Sequence, residues 1–154
     1  MRLLTRGRAS GARRMEPAAL QRAIEREFSF LCAEYGFRRL GARRAGSWVV
    51  VPFRGERAGV DVGASNDRAE VTIGRLDRAG RMRAFERDDW GHWWWVIQDL
   101  VGDGQVRKQL ARRDKDIVAL LREHARALRG HGRAALSGDF TELVGIDWWQ
   151  ARDA

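Results

Sequence analysis

The sequence contains very little cysteine and no long hydrophobic run, and each shortage excludes a class of protein. The single cysteine, Cys32, excludes an intrachain disulfide and gives no indication of an oxidising compartment, so we expect a cytoplasmic protein. No apolar run approaches the roughly 18–20 residues that a membrane-spanning helix needs, so we expect no membrane association. The 154 residues, 44% of them hydrophobic, instead fit one folded domain.

Lysine is also scarce, because Lys108 and Lys115 are the only lysines and arginine supplies the remaining basic charge. The formal net charge of +8 is concentrated at the N-terminus. Residues 1–15 hold five of the 29 basic residues and no acidic one, which leaves 24 basic against 21 acidic side chains. This distribution weakens the net charge as an indication of nucleic-acid binding. The abundance of arginine, alanine and glycine indicates a bacterial origin.

Residues 1–14 show no hydrophobic periodicity, so we expect them to form a disordered Arg-rich tail. A gene that starts at Met15 would account for them equally well, because a helix start follows that methionine directly. We therefore assign a single domain to residues 15–151.

Hydrophobic periodicity within that domain predicts an α+β fold with an N-terminal helix, an antiparallel β-meander of four to five strands, and three C-terminal helices. The first helix begins at Pro17, carries apolar residues at helical spacing from Leu20 to Tyr35, and ends at Gly36. Period-two alternation then predicts the strands, which we place near 37–40, 47–53, 60–62, 71–73 and in a last short segment that ends near Phe85.

The three C-terminal helices are predicted at residues 93–102, 114–130 and 139–149. Asp114 or Asp116 is suited to cap the start of the second, and Gly130 its end. The third opens with Asp139 and Glu142 at the spacing of a capping box. The "GDGQ" segment at 102–105 follows a helix, not a strand, and we interpret it as a turn.

Motifs for nucleotide binding, metalloprotease activity and paired-cysteine chemistry are absent from the sequence, so we expect no cofactor. Asp88, Asp89 and His92 would share one helical turn, but no third ligand follows at a defined spacing, and the aspartates are explained as helix caps. His124 lies on an apolar stripe and is expected to be a hydrogen-bonded core or boundary residue. Cys32 is expected to be a buried structural thiol. We therefore predict no metal site, no catalytic residue and no enzymatic activity.

Three consecutive tryptophans occupy positions 93–95. In a helix, three successive side chains sweep about 200°, whereas a core-facing stripe is usually about 100° wide. Trp93 would then face the core, Trp94 would lie at its boundary and Trp95 would lie on the wetter side. In an extended backbone, Trp94 would oppose the other two.

This geometry makes it hard to bury every ring on one side of a single layer. Because tryptophan is enriched at binding hot spots, we predict an interaction surface formed by Trp90, Trp94, Trp95 and Trp149. The alternative is a helix held between the sheet and another helix, which would bury all of these rings.

Three functions are compatible with these features. The first is a non-enzymatic protein-interaction domain, immunity- or inhibitor-like, whose partner is an unknown protein or a second copy of the chain. The alternative is a nucleic-acid-binding protein, in which the arginine pairs 38–39, 43–44 and 112–113 contact phosphates while Trp48 and Trp90 stack on bases. The third is a small-molecule-binding fold with a cavity that the tryptophans line.

The segments "FSFLCAEYGF" and "ALSGDFTEL" resemble those of many small uncharacterised bacterial α+β proteins. Those proteins share an N-terminal helix, a strand meander and a final Leu-x-Gly-Asp-Phe segment, and the resemblance covers roughly residues 16–145. It implies no activity. Some such proteins look like parts of toxin–immunity loci, which favours the interaction hypothesis. The resemblance also implies structural roles for Asp139, as a cap, and for Phe140, as a core anchor.

Overall fold

A computed structural model of the chain describes residues 14–82 and 94–144. Several predicted features lie outside these ranges: nearly all of the Arg-rich tail, the strand end near Phe85, the Asp88–His92 group, Trp90, Trp93 and Trp149. Within the described residues, two N-terminal helices precede an antiparallel sheet, and further helices follow it. This arrangement confirms the predicted α+β class.

The described elements comprise six strands and seven helices. The strands are β1 (Arg38–Arg39), β2 (Arg43–Ala45), β3 (Trp48–Arg54), β4 (Ala58–Ala64), β5 (Ala69–Arg75) and β6 (Trp94–Val96). The helices are α1 (Pro17–Glu27), α2 (Phe30–Tyr35), α3 (Ile97–Leu100), α4 (Gly104–Ala111), α5 (Ile117–His131), α6 (Arg133–Leu136) and α7 (Thr141–Val144).

The sheet is antiparallel throughout, in the order β1-β3-β4-β5-β6, and β2 pairs with the opposite end of β3 from β1. Strand alternation places Val51, Val62 and Val71 in adjacent pairs on one face. All three side chains are buried, and the helices α1 and α5 pack against β3 and β5. The core therefore forms between one face of the sheet and the helical layer.

The N-terminal helix is interrupted, contrary to the single continuous helix that the periodicity predicts. α1 ends at Glu27, and α2 begins three residues later. Across the break, Leu31 N–H donates to the Phe28 carbonyl and Ala33 N–H donates to the Ser29 carbonyl. Phe28 and Leu31 are both fully buried, so the apolar stripe continues across the break. Gly36 ends α2 with φ of 69°, as predicted, because glycine adopts this left-handed conformation without strain.

The helix predicted over 93–102 is confirmed at four of its nine described residues and is wrong at the other five. Trp94–Val96 is extended and pairs with β5, with Trp95 opposite Ile73. Among residues 94–102, only the four residues of α3 are helical. Large aromatic side chains fit a pleated strand as well as a helix, and pairing with the edge of β5 decided between them.

A helix also begins inside the segment that was interpreted as a turn. The Asp103 carboxylate accepts hydrogen bonds from Gln105 N–H (2.8 Å) and Val106 N–H (3.3 Å), which caps α4. Leu110 is its one buried side chain, so α4 lacks the apolar stripe by which the other helices were recognised.

The remaining helix boundaries are partly as predicted. Asp116 caps α5 by accepting a hydrogen bond from Ala119 N–H (3.1 Å), but α5 continues beyond Gly130 to His131, and Gly132 is its C-cap. Asp139 accepts from Thr141 N–H (3.1 Å) and Thr141 Oγ1 (2.6 Å). Its own N–H donates to the Ala134 carbonyl, so the reciprocal bond of a capping box is not made. Cys32, expected to be buried, is exposed.

His124 is a core residue, as predicted. Its ring is fully buried, and Nδ1 lies 2.9 Å from the Leu120 carbonyl oxygen. Nε2 is buried without a hydrogen-bond partner. Burial lowers the pKa of the imidazole, while the Leu120 bond and nearby Glu123 oppose the shift and Arg112 adds to it. The folded protein therefore favours a neutral His124 whose Nδ1–H donates to Leu120.

This pKa shift predicts that acid weakens the fold through His124. As the pH falls below the ordinary histidine value of 6.5, the unfolded chain takes up a proton that the buried ring resists. The free energy of unfolding should therefore fall between pH 7.5 and 5.5, as measured by denaturant titration. His124→Gln should reduce this dependence, whereas His131→Gln, at an exposed position, should preserve it. An unchanged pH dependence in His124→Gln would contradict the assignment.

Candidate functional site

The face of the sheet opposite the core is the candidate functional site. Within residues 14–82 and 94–144, the helices pack on the other face, and side chains on this one are partly exposed, as the alternating burial of β3 shows. Register places Val50, Asp61 and Thr72 on this open face, together with Trp48 and Trp94. An antiparallel sheet with one face packed and one solvated commonly has this alternation.

Glycines form much of the floor of this face. Gly63 lies on β4, and Gly59 pairs with Gly74 across β4 and β5. A Cβ at Gly63 would lie 3.3 Å from Trp48 Cε3, so the indole packs directly over the strand. A Cβ at Gly59 would lie 3.2 Å from Met82 Sδ. The missing side chains leave a depression that the neighbouring large side chains border.

This depression, which we call the sheet groove, has a volume of about 250 Å³. Two tryptophans from strands at different positions in the sheet border it, Trp48 from β3 and Trp94 from β6. The rest of its lining combines apolar and polar side chains: Arg43, Ala45, Val50, Asp61, Gly63, Glu70, Thr72 and Met82.

Asp61 is the central charged group of the groove. Its Oδ1 accepts a hydrogen bond from Arg54 Nη1 (2.7 Å), and its Oδ2 lies 3.4 Å from Arg43 Nη2. The side chains of Asp61 and Arg54 are each only 16% exposed, whereas that of Arg43 is 64% exposed. Arg54 therefore compensates the carboxylate charge in a partly desolvated pair. Glu70, at the margin, is exposed and has no ion-pair partner among the described side chains.

The predicted tryptophan surface is divided by the strand geometry. Trp94 lines the sheet groove, but Trp95 points to the opposite face and is fully buried. Its ring stacks on Phe140 with centroids 5.3 Å apart and planes 20° apart. The expected wetter position of Trp95 is therefore wrong, because an extended backbone alternates faces at every residue. Trp90 and Trp149 lie outside the described residues.

Trp48 also lines the sheet groove, although the predicted tryptophan surface did not include it. Its position in the sequence gave a partial indication of this placement. Trp48 begins the "WVVVPF" strand, so period-two alternation places it on the same face as Val50. The face that Trp48 and Val50 share is the open one because Val49 and Val51 face the helices, and the sequence alone does not show this.

The arginine pairs that suggested nucleic-acid binding are largely engaged with carboxylates. Ion pairs join Arg39 to Glu25 (2.8 Å), Arg43 to Asp61 (3.4 Å), Arg112 to Glu123 (2.6 Å) and Arg113 to Asp67 (3.7 Å). Arg38 and Arg44 have no ion-pair partner among the described residues. Because neighbouring strand residues point to opposite faces, the pairs in β1 and β2 do not form one basic surface.

The resolved carboxylate pKa shifts have local structural causes. A backbone hydrogen bond from Asp116 and the neighbouring Arg112 hold the pKa of Asp114 below its usual value. The Thr141 hydroxyl and N–H do the same for Asp139. Neither carboxylate lines the sheet groove. These shifts therefore reflect loop and cap structure and do not indicate a catalytic acid or base.

No group of three or more His, Cys, Asp or Glu side chains suited to a metal ion occurs in residues 14–82 and 94–144. Among the helices that the structure describes, none is long and apolar enough to cross a membrane. Comparison with protein-family models, curated proteins and solved structures found no match. The function is therefore inferred from the residues of this chain.

The opposite placement of Trp94 and Trp95 predicts different effects on stability. Trp95→Ala should lower the free energy of unfolding by about 3–5 kcal/mol, because it leaves a cavity beneath Phe140. Trp94→Ala should cost about 1 kcal/mol, because its ring is only partly buried. Chemical denaturation of the two variants would measure both losses. Equal losses would contradict the assignment of the two faces.

The two ion pairs of Asp61 should also differ in strength. A double-mutant cycle with Arg54→Ala and Asp61→Ala should give a coupling energy of about 1 kcal/mol or more, because that pair is short and partly desolvated. The matched cycle with Arg43→Ala should give less than about 0.5 kcal/mol, because solvent screens an exposed pair. Unfolding free energies of the single and double variants supply both values, and the reverse order would contradict this reading of the groove.

Proposed function

We propose that this chain is a non-enzymatic protein-interaction domain whose sheet groove binds an apolar or aromatic side chain of a protein partner. The observation that carries this proposal is the presence of two partly buried tryptophans, Trp48 and Trp94, on the open face of the sheet. Tryptophan contributes large contact area at a small entropic cost and is enriched at binding hot spots.

The size of the groove supports a side chain as its occupant. Its volume of about 250 Å³ is below the roughly 300–1,000 Å³ typical of small-molecule sites. A groove of this size accommodates one side chain. This favours a protein partner over the small-molecule alternative.

The distribution of charge supports the same occupant and indicates its chemistry. Arg54 compensates Asp61 at the centre, so covering the groove would not bury an isolated carboxylate. At the β1–β2 margin, Arg43 is 64% exposed, and register places the exposed Arg38 on the same face. We therefore propose a partner that presents an apolar anchor surrounded by acidic side chains.

An immunity- or inhibitor-like role is the particular form of binding that we propose, in which this face covers the working surface of another protein. This role is favoured by the resemblance of roughly residues 16–145 to small uncharacterised bacterial α+β proteins, some of which look like parts of toxin–immunity loci. Nucleic-acid binding is less well supported, because four arginines of the candidate pairs already contact carboxylates.

The proposal predicts that partner binding depends on Trp94. The tagged full-length chain would capture its partner from nuclease-treated source lysate, and the identified, purified partner would be titrated calorimetrically. Trp94→Ala should weaken binding about tenfold or more, because a hot-spot ring is lost. Tyr35→Ala is the matched control: Tyr35, the last residue of α2, is also partly buried, but it packs against Phe30 and Phe37 away from the sheet groove, so affinity should be retained.

Three outcomes would contradict the proposal. Equal affinity of Trp94→Ala, Trp48→Ala and the unsubstituted chain would exclude the sheet groove as the interface. Recovery of nucleic acid alone, lost at raised salt, would favour the nucleic-acid alternative. Failure to capture any partner, with self-association in sedimentation that Trp94→Ala abolishes, would replace the foreign partner by a second copy of the chain.

A further inference from the structure

A second concave site lies apart from the sheet groove and shares no lining residue with it. This cavity of about 520 Å³ forms where the β3–β4 turn and the end of β5 meet the loop between α6 and α7. We call it the arginine cavity and define it by Arg57, Arg75, Gly138, Asp139, Phe140 and Thr141. It contains two guanidinium groups and one carboxylate.

Arg75 is held in place by aromatic rings. Its guanidinium carbon lies 5.4 Å from the centroid of Phe140 and 5.9 Å from that of Trp95. These distances fit cation–π contacts, which orient the group without using its N–H donors. The Arg75 side chain is partly buried, yet among the described residues it has no ion-pair or hydrogen-bond partner. Its five N–H donors are therefore available to an acceptor that enters the cavity.

Arg57 is positioned next to the same cavity by Gly138. A Cβ on Gly138 would lie 2.7 Å from Arg57 Cβ and 2.8 Å from Arg57 Cδ, so only glycine permits the loop to pack on this arginine stem. The backbone reinforces the placement, since Leu76 N–H donates to the Arg57 carbonyl (3.3 Å). Arg57 also lacks an ion-pair partner within the described part of the chain.

Asp139 does not neutralise these arginines. Its carboxylate accepts two hydrogen bonds from Thr141, through N–H (3.1 Å) and Oγ1 (2.6 Å), and forms no ion pair with Arg57 or Arg75. It is therefore occupied in holding the loop. The cavity presents two positioned cations against one carboxylate that is already hydrogen-bonded.

We propose that the arginine cavity binds the anionic group of a small organic ligand, a carboxylate or a phosphate, between Arg57 and Arg75. The planar donor array of a guanidinium matches either oxyanion through two parallel hydrogen bonds. Because the Arg75 guanidinium is already oriented over Phe140 and Trp95, binding costs little ordering of that side chain. This site does not depend on partner binding at the sheet groove.

Titration of the full-length chain with two probes, inorganic phosphate and succinate, tests the proposal at constant ionic strength. At least one probe should raise the Tm saturably relative to chloride and give a calorimetric binding isotherm. Arg57→Gln and Arg75→Gln should each weaken that binding about tenfold or more. Arg78→Gln removes the same charge from an exposed turn outside the cavity and should leave binding unchanged.

The two probes distinguish the sources of the anion, since phosphate binding alone identifies a phosphate ligand and succinate binding alone a carboxylate. Absence of binding by both would overturn the proposal. Equal binding by the unsubstituted chain and Arg57→Gln would also overturn it and show that the anion binds elsewhere. Arg57→Gln is the decisive variant, because the exposed Arg57 side chain contributes little to the core. Loss of binding in this variant would therefore reflect the missing guanidinium and not a loss of folding.

Discussion

The structure depends on burial of one face of β3, β4 and β5 against the helical layer. Valine, isoleucine and phenylalanine alternate along these strands, and those on the inner face are almost entirely inaccessible to water. Removing this apolar surface from water is the dominant favourable contribution to folding. Once that face is buried against the helices, strand alternation determines which residues face outward. The open face is therefore a direct consequence of how the core is formed.

Both candidate sites result from close approaches that glycine permits. On the open face, Gly59 and Gly63 flank Asp61 along β4, so Trp48 and Met82 pack over bare backbone and border the sheet groove. In the arginine cavity, Gly138 has φ of 91° and packs on the Arg57 stem. A side chain at either kind of position would fill the space or displace its neighbour. Both concave surfaces therefore form where glycine leaves the backbone without a side chain.

Much of the fold could be predicted from the sequence, because α1, α5 and the central strands have strong periodicities of their own. The incorrect secondary-structure predictions fall where the local pattern of apolar residues does not distinguish a helix from a strand or a turn. Trp94–Val96 was assigned to a helix, and only pairing with β5 made it a strand. α4 has one buried side chain and therefore no stripe to recognise. The candidate site was predicted less well: Trp94 lines the groove, Trp95 belongs to the core, and Trp48 was not included.

The sequence by itself determined the α+β class, the alternation of β3 to β5, an aspartate cap at the start of α5 and the place of His124 on an apolar helix stripe. These features depend on residue spacing and on interactions within a few positions of the chain. Only the tertiary structure decided which tryptophans face the core, which arginines are neutralised, and that Arg57 and Arg75 line one cavity beside the Asp139 loop. These features depend on contacts between residues far apart in sequence, and such contacts leave no local pattern in the chain.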